Sequence, residues 1–324
     1  MAGHMGCRQE LGTLDLSGEP SDLRVRGLCK AYEGFELRDV DLDLPRGSVM
    51  GLVGQNGAGK TTIMRAIVGS LVPDAGEVEL FGSPVSQMSP AELREAKGAL
   101  GFVSSTCPYP SELSVAQVAS MHAFAYERFD WGLFQELSER MGLLPHDDAP
   151  HRSHAGRKRV RELSRGMGMK LQLSCALATG SRVLVMDEPT AGLDPIVREE
   201  VLGILREWME SGDRSALISS HITSDLEHVA DYLLMVDGGR VVFQCERDLV
   251  DDVMGIARLR AAELERVRAD GLLEGGGARV LRRDLSFDLL VPDRAEFVRA
   301  YPQLACDAAD IDELMLIVVK GEEF

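Results

Sequence analysis

The chain has 324 residues, 45% of them apolar and 27% charged, enough for one large domain or two ordinary ones around a buried core, and unlike a disordered chain. Lys plus Arg total 35 against 52 Asp plus Glu, a formal net charge of −17. That balance argues against a protein whose main task is gripping nucleic acid, where a basic face supplies most of the affinity, but it leaves room for a phosphate held by backbone N–H groups and one lysine.

No run of about 18 apolar residues marks a membrane span. The first ten residues lack the apolar stretch of a secretory signal, and Met1-Ala-Gly-His-Met5 reads as a vector remnant outside the fold. Six scattered cysteines without a C-x-x-C spacing read as reduced thiols of a cytosolic protein. From Leu23 onward strand-like and helix-like segments alternate. Residues 48–53 form a short apolar run that predicts a buried strand, and Ile63, Ala66, Ile67 and Ser70 then fall on one helical face. Between 105 and 162 strand signals vanish, and helical patterns over 115–128 and 131–141 predict an inserted helical subdomain. His151 to Arg159 is a basic connector back to the sheet; His151 and His154 read as part of that solvated connector, not as metal ligands. A second apolar strand is predicted over 182–186, then a helix bearing Val197, Val201, Leu202, Leu205 and Trp208, then a strand over 215–218. Strands interleaved with helices indicate a doubly wound α/β sheet. After Val250 the pattern predicts a charged helix over 256–269, a glycine run at 275–277 and strand-like pieces over 285–291 and 314–319, a small α+β appendage.

The strongest motif is the run Gly54, Gln55, Asn56, Gly57, Ala58, Gly59, Lys60, Thr61, Thr62. It satisfies G-x-x-x-x-G-K-[ST] between a predicted strand and a predicted helix, the context that a phosphate-binding loop requires. Its glycines let successive N–H groups converge on phosphate oxygens, and the helix adds its positive end. Lys60 can reach the β- and γ-phosphates, and the Thr61 hydroxyl can ligate Mg²⁺. Asp187 and Glu188 end the second apolar strand. A carboxylate there can hold Mg²⁺, and the adjacent one can polarise the water that attacks the γ-phosphate.

With these motifs in order, the region from about Leu23 to Val250 resembles the nucleotide-binding subunits of ABC transporters. Leu163-Ser-Arg-Gly-Met167 occupies the place of the family's LSGGQ signature, Ala191-Gly-Leu-Asp194 resembles its D-loop, and Ser219-Ser-His221 its switch histidine. Tyr32 matches the aromatic position that stacks on adenine. The variants in the signature and switch are most similar to the bacitracin-export and acetoin-operon type ATPases. The resemblance implies a P-loop NTPase of ABC type, with a mostly parallel sheet core, an antiparallel β subdomain, an inserted helical subdomain (about 105–162) and a small C-terminal α+β extension. The expected boundaries are a tail over 1–21, the nucleotide-binding domain over 22–250 and the extension over 251–324. It implies ATP and Mg²⁺ as ligands, with Lys60, Glu188 and His221 catalytic. Two copies, or one copy and a paralogous ATPase subunit, would meet head to tail so that Ser164 and Gly166 of one reach the γ-phosphate held by the other. The partner would be a separate membrane permease, with no nucleic acid, and the chain would sit peripherally at the cytoplasmic face of the bacterial cell membrane.

Two departures from the family stand out. Ser105 occupies the position of the loop glutamine near Mg²⁺; a serine is shorter and neutral, and acts there only through a water. Arg165 and Met167 replace a glycine and a glutamine of the signature, while Ser164 and Gly166 remain. Asp194 either bridges to a second subunit or caps the helix that begins at Pro195, or does both. Tyr109 in Cys107-Pro-Tyr-Pro110 either meets a partner or packs on its own domain, and His122 and His228 carry no partner pattern. Two other readings stay open at this level: a soluble ABC-type ATPase of translation or DNA repair, and a non-hydrolysing, nucleotide-gated regulatory subunit.

Overall fold

The computed structural model describes residues 14, 16, 18–144, 158–273 and 277–324. Met1–Met5, His151, His154 and the first two glycines of the 275–277 run lie outside the described residues. The long strands β1 (Ser21–Tyr32) and β2 (Phe35–Pro45) form a hairpin. Next come β3 (Val49–Val53) and α1 (Lys60–Ile67), then β4 (Ala75–Leu80) and the two-residue β5 (Ser83–Pro84). The first sheet has the order β2-β1-β4-β5 and is antiparallel throughout. Helix α2 (Pro90–Gly98) is closed by a capping box between Ser89 and Glu92. It leads into β6 (Leu100–Val103). Helices α3 (Val115–Ala125), α4 (Trp131–Arg140) and α5 (Arg165–Ala178) pack together around buried Val115, Val118, Phe134, Leu171 and Cys175.

The chain then returns to the sheet through β7 (Val183–Asp187), α6 (Pro195–Met209), β8 (Ser215–Ser219), α7 (Thr223–Glu227), β9 (Tyr232–Asp237) and β10 (Arg240–Glu246). The second sheet runs β10-β9-β3-β8-β7-β6, parallel except for the β10-β9 pair. Every residue of β3, β7 and β8 is buried, as expected where both faces of a parallel sheet are covered. Alternation divides the two faces. Met50, Leu52, Val183, Val185 and Leu217 pack toward α1 and the antiparallel sheet, while Val49, Val53, Leu184, Met186 and Ile218 pack toward α5 and α6. Because β3, β6, β7, β8 and β9 run parallel, their C-terminal ends lie on one side of the sheet, where an open α/β sheet binds its ligand.

The C-terminal region departs from the sequence expectation in two places. Residues 255–259 are the strand β11 (Gly255–Leu259), and the helix α8 is confined to Ala261–Asp270. Ile256 faces the core shared with the nucleotide domain, whereas Ala257 and Leu259 face the opposite side; a period-2 signal over five residues is hidden by the charged residues after it. Strands β12 (Arg279–Arg282) and β13 (Phe287–Val291), helix α9 (Arg294–Ala300) and strand β14 (Cys306–Ala308) follow. The segment 314–319, read as strand-like, lies inside helix α10 (Ile311–Lys320), and a short β15 (Glu322–Glu323) ends the chain. The Asp310 carboxylate accepts the Glu313 N–H at 2.7 Å and starts α10, which buries Ile311, Leu314, Ile317 and Val318 at helical spacing. The third sheet, β14-β11-β13-β12-β15, is antiparallel and has the split β-α-β-β-α-β connectivity of ferredoxin-like domains. Helix α10 lies between this sheet and the nucleotide domain, sharing a core with Leu226 and Ala230 at α7 and with Val250 and Met254.

Candidate functional site

The loop between β3 and α1 carries the phosphate-binding motif. Gly54 and Gly59 hold φ values of +151° and +116°. A Cβ at Gly54 would lie 2.1 Å from the Val236 carbonyl oxygen, so only glycine fits there. Buried Lys60 donates to the Gly54 carbonyl at 2.6 Å and to the Gln55 carbonyl at 3.3 Å, so its ammonium is centred inside the loop. A Cβ at Gly59 would lie 3.1 Å from Phe35. Phe35 pairs with Tyr32 across the β1-β2 hairpin, their ring centroids 6.4 Å apart. This hairpin sets Tyr32, 47% exposed, beside Phe35, the residue that closes on Gly59 of the phosphate loop.

Strands β7 and β8 bring the second half. Thr61 Oγ1 lies 3.2 and 3.1 Å from the two carboxylate oxygens of Asp187. A hydroxyl and a carboxylate are hard oxygen donors that leave most of an octahedron for water and phosphate oxygens, so this pair fits Mg²⁺. Glu188 follows with φ +51°, a left-handed conformation that costs a non-glycine residue about 1–3 kcal/mol and is characteristic of functional sites. Its carboxylate takes a hydrogen bond from the His221 ring through Nδ1 and another from the His221 N–H at 3.3 Å. The other oxygen of that carboxylate stands 3.6 Å from Lys60 Nζ. Lys60, Thr61, Asp187, Glu188 and His221 thus form one continuous cluster at the sheet edge.

The remaining predicted residues lie apart from it. Ser164 is the N-cap of α5, its Oγ accepting the Met167 N–H at 3.3 Å. Gly166 faces Val197 and Leu193, and a Cβ there would lie 3.2 Å from Val197. Ser105 is half-buried and makes none of the bonds that join the cluster among the described residues. Its neighbour Ser104 is held by Gln172 of α5: the amide oxygen accepts the Ser104 N–H at 2.9 Å and the amide nitrogen donates to the Ser104 carbonyl at 3.2 Å. Asp194 caps α6, accepting the N–H groups of Ile196 and Val197 at 3.1 Å. Tyr109 packs on its own subdomain, 3.0 Å from His122 Nε2. Burial raises the Tyr109 phenol, as does the nearby Cys175, and burial lowers the His122 imidazole.

Three contributors have no role in the sequence reading. Gln172 is the first, and a polar residue inside an apolar helical stretch was its only signal. Asp225 is the second. It is buried on α7, accepts a hydrogen bond from Thr190 and pairs with Arg198, while Arg198 also reaches Ser224 at 2.7 Å. These bonds tie α7 to Thr190, just after β7, and to α6. Ser219 is the third, hidden as a lead-in to the switch histidine.

The parallel sheet, the phosphate loop at its edge and the carboxylate pair opposite define a P-loop nucleotide hydrolase. The comparisons narrow this class. Residues 37–191 match the family described as ABC transporter. The chain is 32% identical over 252 residues to the Nod factor export ATP-binding protein I of Cupriavidus pinatubonensis, covering 76% of this chain and 74% of that protein. It is 31% identical over 302 residues to the daunorubicin resistance ATP-binding protein DrrA3 of Streptomyces coeruleorubidus, covering 89% and 90% of the two. Among solved structures, cbiO1 from Clostridium perfringens, part of the cbiONQ transporter complex, superposes with a TM-score of 0.57 at 25% identity over 78% of this chain and 96% of that one. The chain belongs to the ATP-binding subunits of ABC transporters, and it is an ATP hydrolase.

Proposed function

We propose that the chain hydrolyses Mg²⁺-bound ATP at an interface between two copies, or between itself and a paralogous subunit, and delivers the resulting motion to a separate membrane permease. The observation that carries this reading is the continuous cluster from Lys60 through Thr61 and Asp187 to Glu188 and His221. Lys60 and the loop N–H groups hold the phosphate chain, and Tyr32 stacks on the base. Thr61 and Asp187 would hold a magnesium ion, which when bound would offset charge on the phosphates; Ser105 would reach that region only through water. Glu188 orients the attacking water and takes its proton, and His221 stabilises the γ-phosphate charge. Ser164 and Gly166 make no bond to the cluster among the described residues, and in this reading they close the second side of a nucleotide held by another chain.

Among the described residues no helix is long and apolar enough to cross a membrane; the likeness to ATP-binding subunits of transporters supports peripheral attachment at the cytoplasmic face through a partner. The nucleotide domain spans 22–250 and the ferredoxin-like extension begins at 251. Steady phosphate release by the wild type with Mg²⁺, lowered at least about 100-fold in Lys60→Ala, supports hydrolysis. Wild-type release no faster than that of Lys60→Ala favours the non-hydrolysing regulatory alternative.

A further inference from the structure

Strand β8 ends beside β7 in parallel register, with Ser219 opposite Asp187. Ser219 has no exposed surface. Its hydroxyl donates to Asp187 Oδ1 at 2.8 Å. The Ser219 Oγ itself accepts the Glu188 N–H at 3.0 Å, and the Ser219 carbonyl accepts that N–H as well, at 3.2 Å. A hydroxyl has one donor and two acceptor positions; here its single proton is committed to one carboxylate and a lone pair to the backbone that carries the next. Glu188 is the residue held at positive φ, and an N–H fixed by two acceptors is what keeps that turn from relaxing.

We propose that Ser219 is a positioning residue for both carboxylates: it aims the Asp187 oxygens, alongside Thr61, at the magnesium, and it anchors the backbone that points Glu188 at the attacking water. The inference rests on the hydrolytic reading above and concerns this chain's own residues. Groups that hold a metal ligand in place by hydrogen bonding typically change metal affinity or activity 10–100-fold when removed. The Ser219 side chain bonds to Asp187 and Glu188 and to no residue of the phosphate loop among the described residues, so nucleotide binding without metal is expected to stay unchanged.

The test compares Ser219→Thr with Ser219→Val, two side chains of one shape that differ by the hydroxyl, in a buried strand position that suits β-branched residues. Mn²⁺ binding in the presence of a non-hydrolysable ATP analogue is followed by electron paramagnetic resonance, and analogue binding in EDTA by calorimetry. The expected result is Mn²⁺ affinity at least about 10-fold weaker in the Val variant than in the Thr variant, with metal-free analogue affinities alike. Equal Mn²⁺ affinities, or a loss of metal-free analogue binding confined to the Val variant, overturn the proposal. Wild-type protein whose analogue binding ignores the metal would instead overturn the reading beneath it, so the two failures are distinguishable.

Discussion

The phosphate-loop edge and the signature edge of the same domain are built in opposite ways. At the first, Lys60, Thr61, Asp187, Glu188, Ser219 and His221 are joined by hydrogen bonds and one ion pair between the start of α1 and the ends of β7 and β8. At the second, Ser164 is exposed and bonds only to its own helix, and Gly166 rests on Val197 and Leu193. One edge is organised before any partner arrives; the other presents a helix N-terminus and a hydroxyl outward. The difference teaches that one edge is held together by its own bonds, whereas the other is left open, as the proposed closing of a nucleotide bound by a second chain requires.

The sharpest way to probe the organised edge is Glu188→Gln, which keeps the shape and removes the base. Turnover is expected to fall by about 10²–10⁴, with ATP affinity kept within a fewfold by calorimetry. A smaller loss would mean that another group activates the water. Ser164→Arg probes the other edge. It is expected to lower turnover about 10²–10³-fold, the range of one lost donor to a developing charge, while ATP binding to the single chain stays unchanged. If both parameters dropped together, the two edges would not be independent. The smallest effect lies outside both. Glu227, half-buried on α7, has its carboxyl raised above the usual 4.5 by burial first and then by Asp251, Asp310 and Asp312. The folded chain holds that proton more tightly than the unfolded one, so ionisation costs stability as pH rises through the raised value. Glu227→Gln is therefore expected to raise Tm slightly at about pH 7 and to lose that gain below the unfolded value of 4.5. A gain that grew toward low pH would contradict the assignment.

Much of the organised edge is legible in the sequence because its parts are contiguous. The phosphate loop is a single run, and Asp187 and Glu188 are adjacent residues at the end of an apolar strand. The bonds that hold them are less legible. Ser219 acts through the register of β8 beside β7, Gln172 through the packing of α5 under the loop at Ser104, and Asp225 through the meeting of α7 with α6; none leaves a spacing pattern. In the extension, β11 is too short for its alternation to outweigh the charged helix after it, and the apolar run of α10 reads as a strand unless Asp310 is recognised as its cap. The likeness to bacitracin-export and acetoin-operon ATPases rests on motif variants alone.

The central claim is that one chain's signature closes the nucleotide bound by another. It is tested most directly by sedimentation of Glu188→Gln with ATP, alone and combined with Ser164→Arg, reading protein mass and bound nucleotide together. The account predicts a dimer carrying two ATP for the single variant, and a monomer that still binds one ATP for the double variant. A double variant that sedimented as the same two-ATP dimer would contradict it.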